Sequence, residues 1–204
     1  MRLPIVTRLP IVTIAFLLGA TQPGLSETCH EKFVRLMVYG NPDEAVKIHV
    51  VSKMKGGSTS KNNFYQVKKG HWMTEMLEPA SPWTLVHNNI MYVSADKGKS
   101  WKKIREMDSK KNFDQNIKNQ KENSKTVKNA TCGEQDYEGV MHDIVEADFN
   151  TLQNFKTQNH HKYWVNKKTG FISKATYDTK GKGFASFTSQ QAEPAPELKL
   201  PTPE

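Results

Sequence analysis

The chain has almost no cysteine: two residues, Cys29 and Cys132, in 204. Their spacing excludes a CxxC redox pair. It also has no long hydrophobic run. The most apolar stretch, Leu9 to Ala20 (LPIVTIAFLLGA), falls short of the ~20 residues that span a bilayer, and nothing later exceeds it. No G-x-S-x-G elbow is present, and no internal repeat of the kind that builds solenoids or propellers. The acids of Glu134 to Asp148 read as the wet face of a strand and not as a paired-carboxylate site. These absences argue against an enzyme and leave no cofactor or metal site to expect. A recognition motif for nucleic acid is missing as well.

What is present begins at the N-terminus. Arg2 and Arg8 precede the apolar run, no acid interrupts it, and Gly24 and Ser26 are small residues ahead of Glu27. This is the order of a secretory signal peptide over residues 1–26. A chain that folds in the periplasm or outside the cell meets an oxidising environment, so the even cysteine pair reads as a Cys29–Cys132 disulfide. A lipidated Cys29 is the rival reading. It fits poorly, because Glu27 stands just upstream and Cys132 would be left as a lone thiol.

Of the 29 lysines and arginines, Arg2 and Arg8 lie in the leader, which leaves an excess of six over the 21 acids. The excess is concentrated in Lys97 to Lys128, with eleven basic residues against four acids. Such a segment suits an anionic membrane surface or an acidic envelope-protein partner, with Lys102, Lys103 and Arg105 as candidate contacts. A solvated face that only keeps the chain soluble is the plain alternative.

Hydrophobic periodicity predicts a short amphipathic helix over Glu27 to Tyr39 and a half-buried strand over Val46 to Met54, where Val46, Ile48 and Val50 share one face. A series of hairpins follows: Phe64–Val67, His71–Leu77, Trp83–Val86, Ile90–Val93 and Trp101–Arg105. Lys110 to Lys125 interrupts them as a helix with a thin apolar stripe at Phe113 and Ile117. Strands resume at Tyr137–Phe149, His161–Asn166, Phe171–Thr179 and Phe184–Ser189, with His160-His161 read as a turn entering a strand. A proline-rich tail, residues 190–204, is expected to be disordered. The domain therefore spans residues 27–189.

Ser94-Ala95-Asp96-Lys97-Gly98-Lys99-Ser100-Trp101 matches the S-x-D-x-G-x-[ST]-W pattern of an Asp-box. Here the motif occurs once, in a chain too small for a propeller, and reads as a structural hairpin rather than a catalytic site. His71, Met73, Met76, His87 and Met91 are soft-ligand types. On a strand, however, His71 and Met73 point away from Met76, so the set reads as packing.

The order of these elements, with the Trp83-Thr84-Leu85-Val86 strand leading to Ile90-Met91-Tyr92-Val93 and the Tyr163-Trp164-Val165-Asn166-Lys167-Lys168-Thr169-Gly170 hairpin, resembles the periplasmic lipoprotein carrier and receptor group, the LolA/LolB-like superfamily. The resemblance implies an α+β fold: a curved antiparallel β-sheet, a half-barrel, with one or two covering helices and a cavity for a lipidic or other hydrophobic ligand. The side chains expected to line that cavity are Trp72, Met76, Trp83, Met91, Tyr92, Val145, Tyr163 and Tyr177.

Overall fold

Thr28 opens the first helix by a reciprocal cap. Its hydroxyl accepts from the Glu31 amide at 3.2 Å, and the Glu31 carboxylate accepts from the Thr28 amide at 2.8 Å. In the computed structural model, which describes residues 27–41, 44–68, 70–153 and 155–203, this helix is α1 (Cys29–Tyr39). The expected leader, residues 1–26, lies outside the described residues, as do Pro42, Asp43 and Lys69 of two expected turns. Gly40 ends α1 at φ 62°, a conformation that glycine adopts freely.

Eleven strands follow: β1 (Val46–Met54), β2 (Thr59–Lys68), β3 (His71–Glu78), β4 (Trp83–His87), β5 (Ile90–Ser94), β6 (Lys102–Glu106), then, beyond the second helix α2 (Ser109–Ser124), β7 (Lys128–Tyr137), β8 (Val140–Thr151), β9 (Thr157–Asn166), β10 (Ile172–Gly181) and β11 (Phe184–Pro194). They form one antiparallel sheet in the order β6-β5-β4-β3-β2-β1-β11-β10-β9-β8-β7. The chain thus starts in the middle, walks to one edge, crosses on α2 to the other edge, and walks back.

That crossing forces curvature. Eleven strands laid flat would separate the edges by ten spacings of ~4.8 Å, about 48 Å. The 16 residues of α2 cover only ~24 Å, and the two short linkers add ~17 Å at full extension. The sheet must curl to bring β6 and β7 within reach, and it does: it is an unclosed half-barrel with both helices on its concave side.

Two sequence expectations are corrected here. Tyr137 to Phe149 is not one strand: Tyr137 ends β7, Glu138 and Gly139 turn at φ 55° and 76°, and β8 begins at Val140. β7 gives no apolar alternation because it is an edge strand with nearly every side chain in solvent. The sheet also runs past Ser189. β11 continues to Pro194, which stands opposite Val46, and the Ala195 amide donates to the Ala45 carbonyl at 2.7 Å. Proline suits that place because it ends the ladder.

α1 fills one end of the concavity. Phe33 is fully buried and, with Leu36 and Met37, packs on Val145, Ala147, Phe149, Tyr163, Val165, Ile172 and Ala175. Cys29 and Cys132 form a disulfide, Cα to Cα 5.5 Å, that ties the start of α1 to β7. Lys32 pairs with Asp143 on β8. The strand residues of this cluster all come from β8, β9 and β10, and none from β1, β2 or β3.

Candidate functional site

The half-filled concavity leaves a cleft of about 610 Å³ between sheet, α1 and α2. Its floor follows from the register. Val46 faces Gln66, which faces Trp72; Ile48 faces Phe64. Paired residues in an antiparallel ladder share a face, so these side chains form rows on the concave side. Phe64 and Trp72 rings lie 5.8 Å apart. From the other half of the sheet come Tyr163, Ala175, Tyr177 and His161.

The roof is α2. Ser109, Asn112, Phe113, Asn116 and Gln120 line the cleft and repeat at helical spacing, so one stripe of the helix faces the sheet. Of the expected apolar stripe only Phe113 reaches the cleft; Ile117 does not line it. The start of α2 sits on the β2–β3 turn: a Cβ on Gly70 would stand 2.8 Å from that of Ser109.

His161 is enclosed by rings. Its centroid lies 4.6 Å from Phe149 and 4.5 Å from Tyr177, both edge-on, and its Nδ1 meets the Tyr163 hydroxyl at 3.1 Å. Loss of water pushes its pKa down to about 3, with His160 adding a little, so the ring is neutral at ordinary pH. Burial likewise pushes Tyr177 up to about 12 and Tyr163 well above the usual phenol value. The Tyr177 hydroxyl donates to Gln190 Oε1 at 3.2 Å. The charged residues lining the cleft are Glu44 and Lys174, and the Lys174 ammonium is turned onto the rings of Tyr137 and Trp164, 4.8 Å from each. Apart from Glu44 and Lys174, the described lining mixes apolar side chains with uncharged polar ones.

Of the residues expected from sequence, Trp72, Tyr163 and Tyr177 meet in this cleft. Met76 and Met91 occupy the concave face by register but lie outside the lining. Val145, fully buried, belongs to the α1 core. Tyr92 stands opposite Leu85 and so lies on the convex face, as does Trp83 opposite Ser94. Trp83 covers the Asp-box turn: a Cβ on Gly98 would come within 3.1 Å of its ring. Lys102, Lys103 and Arg105 lie on β6, an exposed edge strand, and do not line the cleft; Arg105 stands opposite Met91 on the concave face, and Met107, just beyond the strand, does line it.

The Asp-box is the hairpin its sequence suggested. Ser94 Oγ donates to Asp96 Oδ1 and accepts from the Gly98 amide, both at 2.7 Å, while Asp96 accepts from the Ser100 amide at 2.9 Å and hydroxyl at 2.6 Å. These bonds, led by Ser100, hold the Asp96 carboxyl well below the usual carboxylate range.

Several lining residues escaped the sequence reading. Val46 and Ile48 carried the signal, an alternating apolar face on β1. His161 did not: next to His160 it read as part of a turn, whereas both lie within β9. Among the described residues no cluster of three or more His, Cys, Asp or Glu is arranged to hold a metal, and no helix is long and apolar enough to cross a membrane.

No family model matches this sequence, and no curated protein matches it. Among solved structures, a chain of the MucA/MucB complex of Pseudomonas aeruginosa is similar at 13% identity and TM-score 0.44, over 82% of this chain and 58% of that one. The present chain thus spans less than two thirds of that relative. A LolA superfamily protein from Nitrosomonas europaea is similar at 8% identity and TM-score 0.34, over 85% of this chain and 93% of that one.

Proposed function

We propose that this is an exported, non-enzymatic protein that binds a lipidic or other hydrophobic ligand non-covalently in the cleft between the concave sheet and α2. One observation carries the reading: a cleft of about 610 Å³ floored by Val46, Ile48, Phe64 and Trp72, apolar side chains outside the core cluster that α1 builds. The volume is that of a small-molecule site. Each methylene taken from water contributes about 0.8 kcal/mol. A dozen of them give roughly 10 kcal/mol, and an association cost of at least ~4 kcal/mol leaves at most about 6 kcal/mol, a dissociation constant of tens of micromolar or weaker. The disulfide supports an oxidising compartment such as the periplasm.

The test is direct. The protein should enhance diphenylhexatriene fluorescence, and solvent extraction of native material should release lipid visible by mass spectrometry. Ile48→Trp, which fills the floor, should weaken the probe at least tenfold. Lipid-free protein that leaves the probe dark would end the proposal.

A second reading rests on β6. All five of its residues are exposed at a sheet edge, and Lys102, Lys103 and Arg105 make it basic. Such an edge suits an acidic envelope-protein segment or an anionic membrane surface. Binding of that kind should fall steeply with added salt.

A further inference from the structure

The apolar cleft has a polar annex. A second hollow of about 340 Å³ runs along α2 on the β8–β9 side, and Asn116, Gln120 and His161 line both. The rest of its described lining is polar or aromatic: Asn119, Asn123, Gln153, Thr151 and Asn159, with Phe149 and Phe155. None of these residues is charged, in a chain whose net charge is +8. Phe155 presents its ring to solvent there, 77% exposed.

Two polar groups of the α2 stripe lack partners among the described residues. Gln120 Oε1 is buried and forms no hydrogen bond among the described residues; the same is true of Ser109 Oγ at the other end of the stripe. Buried acceptors of this kind are costly to leave unmet. His161 complements them. The Tyr163 hydroxyl has Nδ1 of His161 as its partner at 3.1 Å. A phenol that donates to Nδ1 leaves the ring proton on Nε2, which is then a donor. Assigning the Tyr163 phenol as the donor thus places an acceptor on Gln120 and a donor on His161, two residues that line both chambers.

We propose that the ligand is an amphiphile with a neutral, hydroxyl-bearing head of the acylglycerol or glycolipid class, its chain on the Ile48–Trp72 floor and its head at Asn116, Gln120 and His161. This rests on the cleft reading and narrows it. A hydroxyl both donates and accepts, and so meets Gln120 Oε1 and the imidazole together. A carboxylate or phosphate only accepts; it would face the Gln120 carbonyl oxygen without a counter-cation.

Monolauroylglycerol, laurate and dodecyl phosphate share one chain length and differ in head. Each is to be titrated against diphenylhexatriene bound to the protein, at moderate salt. The expected result is at least tenfold tighter binding of monolauroylglycerol than of either anion, against the direction that the protein's net charge favours. Gln120→Leu should bring that ratio close to one. Equal affinities, or tighter anion binding, with diphenylhexatriene still bound would overturn the neutral-head assignment and leave the cleft reading standing. Failure of every probe to bind, diphenylhexatriene included, would remove both. The wild-type series decides by itself if the variant does not fold.

Discussion

The Tyr163 hydroxyl meets Nδ1 of His161 at 3.1 Å inside a cage of aromatic rings, and burial in that cage fixes how the site responds to acid. His161 is held down to about 3, mainly by loss of water. Unfolded, it titrates near 6.5. Between those values the unfolded chain binds a proton that the folded chain refuses. Stability from this group is therefore complete above pH 6.5 and is lost as pH falls toward 3. With allowance for partial exposure, the loss between pH 7 and pH 4 is about 2 to 3 kcal/mol. Urea unfolding of wild type and His161→Phe across that range should show the wild type falling more steeply by this amount. Parallel curves would contradict the account.

The disulfide closes a loop of 103 residues across the sheet's crossing connection. Chain-entropy arithmetic for a loop of that length gives about 4 to 5 kcal/mol. The double variant Cys29→Ser, Cys132→Ser should lose stability on that scale. The loss should appear first at α1, because Thr28, Cys29 and Lys32 anchor its opening turn. Hydrogen exchange would read it out as faster exchange in α1 than in β1 and β2. Uniform loosening of the sheet would show that the bond constrains the whole fold instead.

Gly98 in the Asp-box turn has φ 86°, and a side chain there would press on the Trp83 ring. Gly98→Ala should cost about 1 to 3 kcal/mol for the backbone strain, visible in thermal unfolding and in the near-ultraviolet signal of Trp83. Ligand binding should survive, since no residue of β4, β5 or the turn lines the cleft. Loss of binding would mean that the convex face contributes to the site.

How far the sequence carried the structure depends on which face a residue shows. Wherever one side of a strand is buried, alternation gave the strand: Val46, Ile48 and Val50 on β1 and Trp72, Thr74 and Met76 on β3 are examples. The edge strand β7, polar and almost wholly exposed, offered no such signal, whereas the other edge, β6, was legible as a short segment after a turn. The leader lies outside the described residues. For the site, period two says that Tyr92 and Met91 point oppositely, but not which of them points inward. Only the pairing of Tyr92 with Leu85, and of Met91 with Val86 in the Trp72 row, assigns the faces. The polar stripe of α2 was legible as a helix face, yet its role depends on a crossing that only the strand order reveals.

The basic edge separates the two functional readings. Lys102, Lys103 and Arg105 lie on β6, and no β6 residue lines the cleft. Diphenylhexatriene is uncharged, so exposed charges beside the cleft attract it little, and salt screens what attraction they exert. If the cleft alone holds the ligand, replacing all three by glutamate should leave diphenylhexatriene affinity within about twofold, and raising salt tenfold should change it as little. Folding should persist, because the three side chains are exposed and only Lys103 has an ion pair among the described residues, with Glu106. A drop beyond tenfold in either experiment would assign recognition to the edge strand and favour an acidic partner or an anionic surface. Binding to anionic vesicles that the triple variant abolishes, with probe affinity intact, would mean that one molecule carries both functions on separate faces.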